Sequence, residues 1–341
     1  GALLVVVLLT TLVTGAIGVS FIRQNLLREA QTRVNHDLGT LQILYRERLA
    51  TTAERVGAAM RGIDLDSPSL AAELQQLRQK LGLNLLNLCS VEGKSLAGQY
   101  PDPAVRVRID QDPVLAIARQ GTPSWGSLRL DADRLATEGG TALQESLRIS
   151  AQPGTPVVET DALFWWIAQP LFDDQGRVQA LMYGGIALNH NSGLVDELRS
   201  RLFVEDLYAG RPLGTVTLFL DGVRVATNVR REDGSRAVGT MVSPQVRELV
   251  LKEGQIWQDR AWVVNAWYLA AYAPLRSPDG RIIGMLYLGL LEQPYADLTR
   301  RLVLSYMGTV ALVGVVAILL GLLLLGYIVR PLSALDQAAI K

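Results

Sequence analysis

The chain has 341 residues, room for two ordinary modules plus anchors, and its 33 basic residues balance 33 acidic ones to a formal net charge of zero. No basic surplus points to nucleic acid, and no acidic tail to a charged partner. The single cysteine, Cys89, excludes an internal disulfide and suits a small buried hydrophobe, while two histidines, His36 and His190, nearly exclude a His-rich metal site.

Taken in chain order, Gly1 to Ile22 is apolar apart from small hydroxyl residues, and Arg23 ends the run. About 20 apolar residues match the hydrocarbon thickness of a bilayer. A signal peptide would have a shorter apolar core and a small-residue cleavage site. This run is longer and flows unbroken into a helical pattern, so an uncleaved transmembrane helix is expected.

From Arg23 to about Arg61 the pattern is that of one long helix. Leu27, Ala30, Val34, Leu38, Leu41, Tyr45, Leu49, Ala53, Val56 and Ala59 recur at gaps of three and four, one apolar stripe. Two readings fit: a helix packed on its own domain, and a stalk that also packs on a partner chain. A second helix follows, with Ser67 as cap, Pro68 at its first position and Gly82 at its end. Leu83–Val91 is strand-like.

The chain then repeats itself. Asp112-Pro113 opens a short helix, Val114–Arg119, before Trp125. Ser243-Pro244 opens another, Gln245–Lys252, before Trp257. A second pair aligns without gaps. Pro170 meets Pro274, Leu171 meets Leu275, Gly176 meets Gly280, Arg177 meets Arg281, Tyr183 meets Tyr287 and Gly185 meets Gly289. Each copy reads as strand, glycine turn, strand: a β-hairpin. Two such hairpins, each after a capped helix and a Trp, predict two copies of one α+β unit. Thr215–Leu220 and Val223–Thr227 around Asp221-Gly222 predict a further hairpin. His190–Tyr208 predicts a connecting helix with Leu194, Leu198 and Leu202 on one face.

The second span runs from about Leu302 to Val329, with the charge-free stretch Gly308–Gly326 inside it and Tyr306 and Tyr327 near its ends. The abrupt apolar start, and the stop soon after this span, read as a fragment of a longer protein. The charges flanking the spans do not fix the orientation.

The order of span, long helix, two antiparallel-sheet units and span resembles the double Cache sensor domains of bacterial histidine kinases and chemoreceptors. Leu220–Asn228, Asp233–Thr240, Gly254–Trp257, Trp267–Pro274 and Gly284–Gly289 carry the likeness, which is to the Cache 3/Cache 2 fusion type. It covers about Leu26 to Tyr295, well in the second unit and loosely in the first. Ile328-Val-Arg-Pro-Leu-Ser-Ala-Leu335 resembles the opening of a HAMP linker, which implies a cytoplasmic C-terminus and a domain outside. The fold class expected is therefore α+β: a long N-terminal helix and two tandem PAS-like antiparallel-sheet (Cache) modules between two transmembrane helices. The expected division is transmembrane helix 1 (1–22), stalk helix (23–62), membrane-distal module (63–189), connecting helix (190–209), membrane-proximal module (210–301), transmembrane helix 2 (302–329) and the start of the HAMP linker (330–341).

Catalytic motifs are absent from the sequence: no Gly-x-Ser-x-Gly elbow, no phosphate-binding P-loop, no His-Glu-x-x-His. No cofactor or metal is expected. A small-molecule pocket is the better expectation, mostly apolar with a few polar anchors. In the first module its candidates are Trp125, Arg148, Trp165, Trp166 and Tyr183. Arg148 could clamp a carboxylate through its planar fork. Trp165 and Trp166 are adjacent on a strand, so only one can line a pocket. In the second module the candidates are Arg224, Asn228, Arg230, Arg236, Trp257, Arg260, Trp267, Tyr268 and Tyr272. The resemblance implies that the membrane-distal module binds the ligand, and the HAMP-like start implies a sensor in the periplasm and anchors in the bacterial inner membrane. Two chains would bring four spanning helices into one bundle, so a homodimer is expected. Three functions stay open: a sensor histidine kinase, a methyl-accepting chemotaxis receptor, and a membrane-tethered extracytoplasmic hydrolase. The last would need a nucleophile–base pair, for which two histidines leave little room.

Overall fold

The computed structural model describes residues 2–99, 105–150, 158–203, 207–324 and 327, with side chains from residue 9 onward. It forms two compact units, Gly1–Arg33 with Glu292–Lys341, and Val34–Leu291.

Within the larger unit, the long helix α1 (Ala2–Met60) buries Val34, Leu38, Leu41, Tyr45, Leu49, Ala53 and Val56, the predicted stripe. Ala59 is only half-buried, and Met60 takes the next inward position. The following helix, α2 (Leu70–Leu81), starts later than its predicted cap. Ser67 lies in the preceding turn, where its hydroxyl and that of Ser69 both donate to the Glu73 carboxylate instead of capping.

The first sheet has five antiparallel strands, β1 (Leu85–Ser90), β2 (Ser95–Ala97), β3 (Ser124–Leu130), β4 (Ala162–Phe172) and β5 (Val178–Ala187), in the order β2-β1-β5-β4-β3. Buried on both faces, β4 reads as an almost continuous apolar run. Its period of two still sorts the side chains. Phe164, Trp166 and Ala168 join one core with α3 (Pro113–Arg119) and α4 (Ala132–Gly139). Ile167 and Leu171 join the opposite core under α1 and α2. A short α5 (Thr141–Leu147) follows α4.

The connecting helix α6 (Ser192–Leu202) is shorter than predicted. Positive φ at Ala209 and Gly210 turns the chain back, so Leu207–Tyr208 (β6) pairs with Arg211–Pro212 (β7) instead of extending the helix.

The second sheet contains β8 (Gly214–Leu220), β9 (Val223–Thr227), β10 (Trp257–Val263), β11 (Ala266–Arg276) and β12 (Ile282–Leu291), in the order β10-β11-β12-β8-β9. Counted from its own first strand and read in the reverse direction, that order is the order of the first sheet. The two long hairpins repeat in detail. Pro170 faces Leu181 as Pro274 faces Met285, and the register slips after Leu171 as it does after Leu275. The sequence repeat is thus a repeat of topology, down to the bulge. The short helix α7 (Pro244–Val246), capped by Ser243, continues as a π-helical turn, Arg247–Lys252. One residue after β12, the chain enters α8 (Gln293–Leu324).

In the smaller unit, the Tyr306 hydroxyl donates to the Thr14 carbonyl at 3.0 Å. A Cβ at Gly18 would overlap the Tyr306 ring, and Gly314 lies against Thr11. Small residues thus let the two helices approach closely. Among the described residues, α8 is the one helix long and apolar enough to cross a membrane. The other expected span is helical from Ala2, but Gly1 and the side chains of residues 2–8 lie outside the described residues. So does the whole HAMP-like stretch Ile328–Leu335.

Candidate functional site

The face of the first sheet under α3 and α4 is filled by its own side chains. Trp166 stacks edge-on against Phe164 at 5.8 Å and tilts over Tyr183 at 5.7 Å. Asp112 ties this cluster together. One carboxylate oxygen accepts from the backbone N–H groups of Val114 and Leu115, capping α3. The other accepts from Trp166 Nε1 at 2.9 Å and Arg134 Nη2 at 2.8 Å. Arg134 also donates to Glu138 at 2.8 Å and lies 5.0 Å from the centre of the Trp166 ring. The arginine of this face is therefore satisfied by two carboxylates of its own chain. Burial pushes the Glu138 carboxyl up despite the neighbouring guanidinium, and pushes the Tyr183 phenol well up.

Of the five candidates predicted for this module, the structure brings Trp166 and Tyr183 together. Trp165 faces the other way, edge-on against Tyr45 of α1 at 5.6 Å, as strand alternation requires. Trp125 shares that side and stands partly exposed in a cleft of about 750 Å³ between α1, β3 and the β11–β12 hairpin. Arg148 is half-exposed at the end of α5, 3.6 Å from Glu145, and joins none of the other four. Its distance from them in the fold is invisible to sequence spacing.

The second sheet is arranged differently. On the same face of the repeat lies a cavity of about 770 Å³, within the range of small-molecule sites. β9 supplies Arg224, β10 supplies Trp257 and Arg260, and β11 supplies Tyr272. The loop between β9 and α7 adds Arg231, Thr240 and Val242, and the turn between β10 and β11 adds Val264 and Asn265. Behind the wall, Tyr272 packs against Tyr287 at 4.7 Å and Trp257 at 5.5 Å. Burial raises the Tyr272 phenol to about 12, so it is a neutral hydroxyl at physiological pH. Arg224 is 4% exposed. Its Nη1 donates to Thr240 Oγ1 at 2.7 Å, and its guanidinium lies 5.2 Å from the Phe219 ring. Its Nε has no hydrogen-bond partner. Burial pulls this guanidinium below its ordinary value, opposed by Tyr272, Tyr287 and Tyr268; Arg231 adds to the pull.

The remaining second-module candidates are structural or exposed. The Asn228 amide accepts from Val216 N and donates to the Gly214 carbonyl, closing the end of β8. Arg236 grips Asp196 of α6 with two bonds, at 2.6 and 3.0 Å. Arg230 holds the Gly234 carbonyl. Tyr268 lies in the core. Trp267 is exposed, with Arg260 stacked over it at 4.0 Å. Sequence reasoning missed Arg231, Thr240, Val242, Val264 and Asn265. Only the two-residue reversal at Val264-Asn265 left a trace, as a break between two strand-like runs.

Residues 186–302 match the family model described as single Cache domain 3. The Cache resemblance read from the second repeat is thereby borne out over that stretch. No curated protein matches the chain. Among solved structures, it is similar to the periplasmic domain of Vibrio cholerae LuxQ: 13% identity, TM-score 0.36, covering 81% of this chain and 99% of that one. It is also similar to the sensor domain of the V. cholerae histidine kinase DctB: 10% identity, TM-score 0.37, 79% of this chain and 98% of that one. A third is the sensory domain of the Campylobacter jejuni chemoreceptor Tlp3, with isoleucine bound: 10% identity, TM-score 0.42, 79% and 95%. At scores and identities this low the superpositions carry no argument of their own.

Proposed function

We propose that the chain is the ligand-sensing and membrane-crossing portion of a bacterial transmembrane receptor, a sensor histidine kinase, held in the inner membrane as a homodimer with residues 23–301 outside. The observation that carries this reading is the cavity in the second sheet, in the stretch that matches a Cache domain and runs into the apolar helix α8. The choice of a kinase rests on the resemblance of the sequence. The division into stalk helix, distal module, connecting helix, proximal module and HAMP start belongs to the same proposal.

A small molecule that fits one shape of the cavity shifts the population toward that shape. The cavity walls include β10 and β11, and β11 pairs along its length with β12, the central strand, which ends at Leu291. The chain enters α8 at Gln293, so a change in the strand register or tilt is delivered to that helix. A coupling of about 1–3 kcal/mol is enough for a graded output.

The test of the topology is labelling of intact cells with a membrane-impermeant maleimide. Thr141→Cys adds an exposed thiol to a chain whose own Cys89 is buried and serves as the unlabelled control. Labelling in intact cells supports the reading; labelling only after lysis overturns it.

A further inference from the structure

Arg134 is largely buried, Arg236 partly so and Arg129 more exposed, and all three have carboxylate partners. Arg134 has Asp112 and Glu138, Arg129 has Asp161 and Asp221, and Arg236 has Asp196. Arg224 is more buried than any of these and has no carboxylate partner among the described residues; its charged neighbour is another arginine, Arg231. An arginine stays protonated when buried, and removing an unpaired charge from water is strongly unfavourable. A guanidinium kept in that state beside an open cavity is poised for an anion that comes and goes.

The walls say what kind of anion. Trp257 and Tyr272 offer aromatic faces, and Val242, Val246 and Val263 extend the apolar lining. Thr240 engages one Nη1 donor of Arg224, and its buried Nε has no partner. Arg231 is engaged by its own loop, donating to Ser235 Oγ, the Arg236 carbonyl and the Val238 carbonyl. Glu232 and Asp233 also line the opening and repel a second negative charge. The formal charge of the lining is then three arginines against two carboxylates, net one positive.

We propose that the cavity of the second sheet takes a monocarboxylate carried on an aromatic or apolar body, its carboxylate seated on Arg224 and its body against Trp257 and Tyr272. The proposal rests on the reading of this module as a sensor and adds the ligand class. It also moves the expected site from the first sheet to the second, because the first sheet supplies its own carboxylates to Arg134.

The experiment is thermal unfolding of the full chain in lipid nanodiscs with benzoate and phenylacetate, their neutral amides benzamide and phenylacetamide, succinate, and inorganic phosphate. A ligand that binds the native state raises the melting temperature by mass action. The expected result is a saturable rise with the two acids and none with the amides, succinate or phosphate. Arg224→Lys, which keeps the charge and loses the fork, is expected to raise the half-saturating concentration roughly tenfold or more. Arg224→Met is expected to abolish the rise while leaving the unliganded protein no less stable, since it removes a buried unpaired charge. A merely structural arginine would instead lower the unliganded melting temperature. An equal rise with acids and amides overturns the carboxylate class and leaves the sensor reading standing. A rise with phosphate alone assigns the site to inorganic anions and also overturns it. No rise with any compound overturns the proposal, and the labelling experiment then decides separately whether the sensor reading falls with it.

Discussion

Arg129 of β3 in the first sheet is ion-paired with Asp221 in the β8–β9 turn of the second. The same guanidinium holds Asp161 at 2.7 Å, so one arginine ties a strand end of its own sheet to a turn of the other. Asp221 sits at φ +47°, presenting its carboxylate from the tight turn predicted at Asp221-Gly222. Both partners are more than a third exposed.

Exposure sets the size of the first prediction. A partly solvated pair contributes ~0–1 kcal/mol. Asp221→Asn, which keeps the turn residue type, is expected to lower stability by no more than about 1 kcal/mol in urea unfolding. A larger loss would mean that the pair is held more rigidly than its exposure implies.

Close by, Gly126 of β3 faces Pro278 in the β11–β12 turn, and a Cβ at Gly126 would overlap the proline ring. Neither the strand nor the turn can yield freely. Gly126→Val is expected to cost about 1–3 kcal/mol through overpacking. Pro278→Ala in the same chain should recover part of that loss, and a thermal-unfolding double-mutant cycle measures it. Additive losses would place the strain elsewhere.

Asp112 carries the heaviest structural duty in the first sheet. Asp112→Ala frees the helix cap and takes a carboxylate from buried Arg134, a loss of about 3–5 kcal/mol for breaking a buried pair. Trp166→Phe removes the Nε1 donor and leaves a void where the larger indole was, and should cost about 1–3 kcal/mol. Arg148→Ala should stay within about 0.5 kcal/mol, as for an ordinary surface change. Chemical denaturation of the three variants ranks them; an Arg148 loss as large as that of Asp112 would contradict the packing described.

Glu138 gives a pH prediction. Its native carboxyl is pushed up by burial, so the native state keeps a proton that the unfolded chain has released. Stability then falls as pH rises from the ordinary glutamate value toward the raised native one, by at most about 1.4 kcal/mol per pH unit. Glu138→Gln removes this slope. Unfolding free energies of wild type and variant, measured at a series of pH values, should diverge across that window and run parallel above it. Parallel lines throughout would show that Arg134 cancels the burial.

Much of the fold was legible because periodicity is a local property. The stripe from Val34 to Val56, the opposite facing of Trp165 and Trp166, and the matched hairpins at Pro170 and Pro274 all follow from spacing along one segment. The overlong connecting helix came from the same source: a periodic stripe through Leu202 gives no notice of the reversal at Ala209 and Gly210.

The open cavity was decided elsewhere. The sequence singled out Arg224 as one candidate among nine in the second module and gave Arg134 no notice. Only the folded chain brings Asp112, from the cap of α3, onto Arg134, and leaves Arg224 facing a cavity. Hydrophobic period is written residue by residue. The pairing of a buried charge depends on which distant segment arrives beside it, and that is a property of packing in three dimensions.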